Sequence, residues 1–255
     1  MNSPGLAAIV SKHFAPTVLN CIVQVAEPSS FLVYVVVQES SNRVIMLYRD
    51  YIFIYNNMEF IYERENFVSS EFCTRIIDKF EKDDNKRIGR TSKGVEENYK
   101  KSTEIRLYRN EQWVDELNSF DEVLERAKNE YRAYIKQIDR NELIDMTLRM
   151  SHTYPPQIQR TLPGEFYHWH SDANIPTSFK TFTYILYLND VDIENDGATE
   201  FSCGRCIQPK TGKLLIFPST FTYLHRGQLL KNGVKYIATN GYVCLPPDVL
   251  AGLSR

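Results

Sequence analysis

The stretch Tyr167–Asn174, YHWHSDAN, holds two of the chain's five histidines and an aspartate at alternate positions: His168, His170 and Asp172. Alternation is the side-chain period of a β-strand, so all three could project from one face. An imidazole and a carboxylate two residues apart can take two positions around one metal ion. Spacing alone leaves open which of the three would do so. A third ligand must come from elsewhere, and the other histidines are His13, His152 and His225. Of these, His225 lies in TYLHRGQ, a strand-to-turn context. Two histidines and one carboxylate leave three positions of an octahedral ion open, the ligand set of non-haem iron(II) that activates oxygen. Zinc hydrolases can use the same donors, typically with a helical HExxH, which this sequence lacks.

Lys235 follows in NGVKYIATNGYV. If this segment is a strand with Lys235 facing inward, the buried ammonium needs a charge partner. A dicarboxylic 2-oxo acid supplies one: its distal carboxylate pairs with the lysine while its 2-oxo acid end chelates the metal.

These residues need a scaffold. Beyond about residue 150 the chain reads as short runs between turns, including FYHWHSD, FKTFTYILYLND, ATEFSCG, KLLIFPS and VKYIATNGYVCL. Many short strands at close spacing predict a β-sandwich or barrel. Two helices precede it. NFVSSEFCTRIIDKFEK places Phe67, Phe72, Ile76, Ile77 and Phe80 near helical spacing, with Ser69 or Ser70 as N-cap. SFDEVLERAKNEYRAYIKQID aligns Val123, Leu124, Ala127, Tyr131 and Ile135 on one face, with Asp121 as N-cap. Between them, residues 83–103 have no apolar periodicity and read as a lid-like loop. The first 57 residues differ: FLVYVVVQ and VIMLYRDYIFIY flank the polar turn ESSNR and predict a β-hairpin. The alternative is that Met58 is the true start and the upstream part a translated leader. The domain reading is thus 1–57 as an extension, 58–148 as helical support and 149–250 as the β-domain.

Bulk properties set the remaining bounds. A net charge of -2 gives no general reason to expect nucleic acid or an anionic membrane as partner. The longest apolar run, FLVYVVV, is too short to span a bilayer. The five scattered cysteines read as reduced thiols and favour a cytoplasmic protein. Cys203-Gly-Arg-Cys206 is a lone CxxC without the second pair or following helix that a zinc or redox site would want.

Five ordered segments carry a family resemblance: RTLPGEFYHWHSD, TYILYLND, DGATEFS, IQPKTGKLLIFPS and HRGQLLKNGVKY. Over roughly 66–245 the chain resembles the iron(II)- and 2-oxoglutarate-dependent dioxygenases, in the prolyl 4-hydroxylase-like branch. The resemblance implies an α+β, mainly β fold, with a double-stranded β-helix (jelly-roll) core and N-terminal supporting helices. It implies His170, Asp172 and His225 as iron ligands and Lys235 as the partner of the 2-oxoglutarate C5 carboxylate. It offers Tyr187, Thr183 and Tyr167 as further co-substrate contacts, with Ile185 sharing the Tyr187 face. Thr199 and Phe201 fall in its GxTxF element, where turn and core packing serve as well. The implied cofactors are Fe(II), 2-oxoglutarate and O2, with ascorbate as a candidate reductant. The implied reaction hydroxylates a C–H bond of a protein or peptide, the alternative being a small molecule such as a free amino acid. In the YxxHxD register His170 and Asp172 are the ligands. His168 then lies about 6.5–7 Å further along the same strand face, too far to share the ion, and falls on the plain surface or, as the alternative, on the pocket rim. The chain departs from the family at Thr161, where a tyrosine is usual, at Leu229, which replaces a proline, and at Gly241-Tyr242, which replaces the usual aromatic.

Overall fold

A computed structural model describes residues 60–138, 142–174 and 177–245, together with the backbone of four strands within 23–56. Met58, the turn ESSNR and His13 lie outside the described residues. The chain divides into two units, 1–59 and 60–255. In the first, β1 (Val23–Ala26), β2 (Val33–Gln38), β3 (Arg43–Tyr48) and β4 (Tyr51–Asn56) pair consecutively in an antiparallel sheet. The predicted hairpin is its β2–β3 pair, with Val33 opposite Tyr48 and Gln38 opposite Arg43.

The second unit carries β5 (Tyr62–Arg64), α1 (Ser70–Lys82), β6 (Arg87–Ile88), β7 (Thr103–Arg106), α2 (Val114–Ile135) and α3 (Leu143–Met150). There follow β8 (His152–Thr153), β9 (Gln157–Thr161), β10 (Tyr167–His170), β11 (Lys180–Tyr187), β12 (Thr199–Phe201), β13 (Cys206–Ile207), β14 (Leu214–Pro218), β15 (His225–Gly227) and β16 (Lys235–Val243). The larger sheet runs β5-β14-β11-β16-β9-β7-β6, with β8 beside β16. The smaller runs β10-β15-β12-β13. All pairings are antiparallel, and the two sheets form the expected jelly roll.

Strand alternation sorts β11 into two faces. Phe182, Tyr184 and Leu186 join the cluster under the helices, while Ile185 and Tyr187 join Phe201, Ile207, Phe217 and Ile237 between the sheets. Ile76 and Phe80 of α1 and Phe120, Leu124, Ala127, Tyr131 and Ile135 of α2 are fully buried on the outer face of the larger sheet. Each such Ile, Leu or Phe side chain contributes about 1.5–3 kcal/mol relative to exposure. Phe80 meets the Tyr236 ring edge-on at 6.0 Å, and the Tyr242 hydroxyl donates to Leu124 O at 2.9 Å.

Ser69 caps α1, its hydroxyl accepting the Phe72 N–H. Asp121 caps nothing. The second helix starts at Val114, after a 3₁₀ turn at Glu111–Trp113 capped by Asn110. Trp113 and Phe120 are fully buried, so the apolar stripe extends the helix past the polar residue that reads as a cap. The segment 83–103 is laid out by backbone hydrogen bonds. Arg87 and Ile88 pair with Glu104 and Thr103, Gly89 N donates to Ser102 O, and Lys101 N donates to Phe166 O. Such bonds leave no side-chain periodicity to read.

Candidate metal centre

His170 ends β10, Asp172 stands in the bend after it, and His225 opens β15, paired directly opposite His170. His170 Nε2 lies 3.7 Å from Asp172 Oδ1, and His225 Nε2 lies 3.8 Å from Asp172 Oδ2. One donor atom from each residue falls within 4.8 Å of the other two. The separations of 3.7 and 3.8 Å are short enough for one ion to bridge them with bonds of about 2 Å. Both imidazoles are held in one tautomer: Nδ1 of His170 donates to His168 O at 2.8 Å, and Nδ1 of His225 donates to Tyr223 O at 3.1 Å. A carbonyl can only accept, so each Nε2 turns a lone pair toward Asp172. Burial, with His225 alongside, pushes His170 down to about 3, leaving it neutral and able to ligate at ordinary pH. Burial alone would oppose ionisation of Asp172. Lys180, the two histidines and the Thr183 hydrogen bond outweigh it and hold the carboxyl well below the usual range. Two imidazole nitrogens and one ionised carboxylate fit a divalent first-row metal.

Strict alternation does not hold in β10. Tyr167 pairs with Gly227 and His170 with His225, so three steps on β10 match two on β15. The extra residue is a β-bulge, which re-aims the side chains beyond it. Tyr167 and His170 therefore face inward together, their rings stacked at 3.6 Å and 18°. His168 is exposed and packs against Tyr99 and Phe166 instead. Its expected place on the His170 face is corrected by that bulge.

A cavity of about 150 Å³ opens beside the triad. Lys235 lines it, 4% exposed, its ammonium donating to Gly197 O at 2.7 Å and meeting no carboxylate among the described residues. Burial lowers its pKa to about 8. Tyr167 and Ile185 line the cavity as expected, and burial pushes the Tyr167 phenol well up. Thr183 lines it too, but its hydroxyl donates to Asp172 Oδ2 and so accepts from Ser219 Oγ at 2.8 Å. It braces the ligand carboxylate from the cavity wall. Tyr187 is fully buried behind the wall, its hydroxyl donating at 2.7 Å to Thr199, which does line the cavity. Phe201 is core, packed edge-on against Phe217 at 4.9 Å.

Lys100, Lys180, Gln157, Gln159, Thr239 and Asn240 also line the cavity and escape a reading of motifs. Thr239 and Gln157 were within reach of period two, since they pair across β16 and β9 on the face of Lys235. Lys100 carried no such signal. Its backbone bridges to Tyr167, its ammonium lies 5.0 Å from the Tyr167 ring centroid, and it pairs with Glu104 at 3.2 Å.

Residues 156–243 match the model of the 2OG-Fe(II) oxygenase superfamily. Over 95 residues the chain is 31% identical to 2-oxoglutarate and iron-dependent oxygenase domain-containing protein 3 of Xenopus tropicalis, covering 36% of this chain and 30% of that protein. It therefore spans under a third of the length of this curated relative. The fold superposes on a prolyl hydroxylase from Trichoplax adhaerens, in complex with a hypoxia inducible factor oxygen degradation domain peptide fragment. The TM-score is 0.60 at 15% identity, over 78% of this chain and 89% of that one. A prolyl-4-hydroxylase from Pseudomonas putida superposes with TM-score 0.54 at 16% identity, over 74% and 95% of the two chains. At these identities the superpositions show the fold. The segment 156–243, which supplies both triad histidines, the aspartate and Lys235, is the part of the chain that matches the 2OG-Fe(II) oxygenase superfamily.

Proposed function

We propose that this chain is an iron(II)- and 2-oxoglutarate-dependent dioxygenase that hydroxylates a C–H bond, most simply a prolyl C–H of a protein or peptide. The observation that carries this reading is the placement of a His–His–carboxylate cluster and a buried lysine that meets no carboxylate among the described residues on the walls of one cavity. His170, Asp172 and His225 would hold iron, and Lys235 would pair with the distal carboxylate of 2-oxoglutarate. When bound, iron and 2-oxoglutarate supply the oxidation, one oxygen atom entering the substrate C–H bond and the other entering succinate as CO2 leaves. Gly197 O holds the lysine ammonium in place before the co-substrate arrives. Ile185 and Ile237 give that compartment apolar walls.

Cavities that enclose a drug-sized ligand run to about 300–1,000 Å³. A cavity of about 150 Å³ has room for a small dicarboxylate, so the substrate is presented at its mouth, which favours a side chain on a peptide. The free Cys73, Cys203, Cys206 and Cys244 fit a reducing, cytoplasmic setting for the same reading. No helix among the described residues is long and apolar enough to cross a membrane.

The test is anaerobic addition of iron(II) and 2-oxoglutarate, followed by visible absorption. A weak charge-transfer band is expected in the intact protein and in His168→Ala, and is absent in His170→Ala and Asp172→Ala. Lack of a band in the intact protein refutes the proposal.

A further inference from the structure

Lys180 begins β11 and lines the cavity, and no hydrogen bond or ion pair to a described residue engages its ammonium. Its stem lies over Gly241: a Cβ at 241 would sit 2.8 Å from Lys180 Cγ, 2.9 Å from Lys180 Cδ and 2.4 Å from Phe182 O. Only glycine fits there, and the lysine stem occupies the space a side chain at 241 would need. Its charge is felt at Asp172, where it is the strongest of the influences that favour the carboxylate.

The register fixes where Lys180 stands relative to the other cations. Thr183, which binds Asp172, pairs with Gly241, so the triad is level with that rung. Along β16, Lys235 lies on the Tyr187 side of this level, and Val243, opposite Lys180, lies on the other side. Lys235 and Lys180 thus flank the metal position from opposite directions. A co-substrate stretched from the triad to Lys235 leaves Lys180 beyond the metal, on the cavity wall that Asn240 and Gln157 also line.

Charge accounting then singles this lysine out. A metal dication, Asp172, a dianionic co-substrate and Lys235 sum to zero. Lys100 is paired with Glu104, which Arg106 also contacts from the exposed side. Lys180 is the remaining positive charge on the cavity wall, and a half-buried charge calls for a counter-ion. We propose that Lys180 is a specificity residue that receives a carboxylate of the substrate, so that the hydroxylated C–H bond lies close to an acidic group. This rests on the dioxygenase reading above and adds the substrate's charge to it.

The experiment uses the intact chain loaded anaerobically with iron(II) and 2-oxoglutarate, whose band reports the reading on which the inference depends. Matched probes are then titrated: proline peptides carrying Asp or Glu beside the proline against the same peptides with Asn or Gln, and free aspartate and glutamate against their amides. Shift of the band gives binding, and succinate release in air gives turnover. Acidic members should bind at least about tenfold better than their amides, equal to about 1.4 kcal/mol. The peptide and free-acid arms distinguish the two sources of the carboxylate. Lys180→Met should erase the preference and Lys180→Arg should keep it, each with an unchanged unfolding temperature. Lys180→Glu should favour Lys-bearing peptides. A band that forms and responds to no carboxylate more than to its amide overturns the proposal, as does an acidic preference that survives in Lys180→Met. No band at all defeats the dioxygenase reading itself, and the inference with it.

Discussion

Thr183→Val separates two roles for one hydroxyl. As a co-substrate contact, Thr183 would set the affinity for 2-oxoglutarate. In the structure its hydroxyl donates to Asp172 Oδ2 and accepts from Ser219 Oγ. A hydrogen bond to a charged group is worth about 1.5–3 kcal/mol, and loss of a residue that orients a metal ligand typically costs about 10–100-fold in metal affinity. The two estimates agree, so metal binding should weaken by about that factor. Asp172 also loses one of the influences that hold its pKa down. A depressed carboxylate contributes above its unfolded value and loses that contribution as pH falls through the folded one. Metal binding by the variant should therefore fail at a higher pH on acidification than in the parent. Ser219, 1% exposed, loses its acceptor, which costs about 1–3 kcal/mol of stability. That corresponds to roughly 2–4 °C in Tm per kcal/mol for a domain of this size. Competition titration of Fe(II) or Mn(II) against a chromogenic chelator gives the metal Kd, and succinate formation gives the 2-oxoglutarate KM. Thr183→Ser should restore both. A Thr183→Val variant with unchanged metal Kd and a raised 2-oxoglutarate KM would refute the bracing role.

Two further perturbations test the cavity walls. Lys235, lowered to about 8 by burial, should give the empty protein a stability increment that grows as pH rises from about 8 toward the usual lysine value, because the unfolded chain there binds a proton the folded one does not. Co-substrate binding should run the opposite way, weakening above about pH 8 as the ammonium is lost; isothermal titration across pH 6.5–9.5 reads this, and a flat profile contradicts it. Glu104→Gln leaves Lys100 buried without its counter-charge, since the pair is 3% and 2% exposed, and should destabilise by about 3–5 kcal/mol. The double variant Lys100→Met/Glu104→Leu should recover most of that in chemical denaturation, and equal losses in single and double variants would show that the pair does not act as one.

The sequence by itself determined what local pattern can encode. The stripe from Leu124 to Ile135, a cap at Ser69 or Ser70 and the two-faced alternation of β11 follow from side-chain period and donor chemistry, while the choice of His170 and Asp172 with the distant His225 came from the resemblance to a family motif. Tertiary structure decided the rest, because it depends on residues far apart in the chain. The bulge between Tyr167 and His170 exists only against β15, and it moved Tyr167 under His170 and His168 outward. Lys100 reached the cavity through a backbone bridge to Tyr167 that no periodicity announces. The Thr183 hydroxyl could face a co-substrate or a ligand on grounds of strand face alone. The approach of Asp172 and Ser219 from two other segments gives it the bond to the ligand. Lys180 acquired its place because Gly241, on the neighbouring strand, has no side chain to exclude its stem.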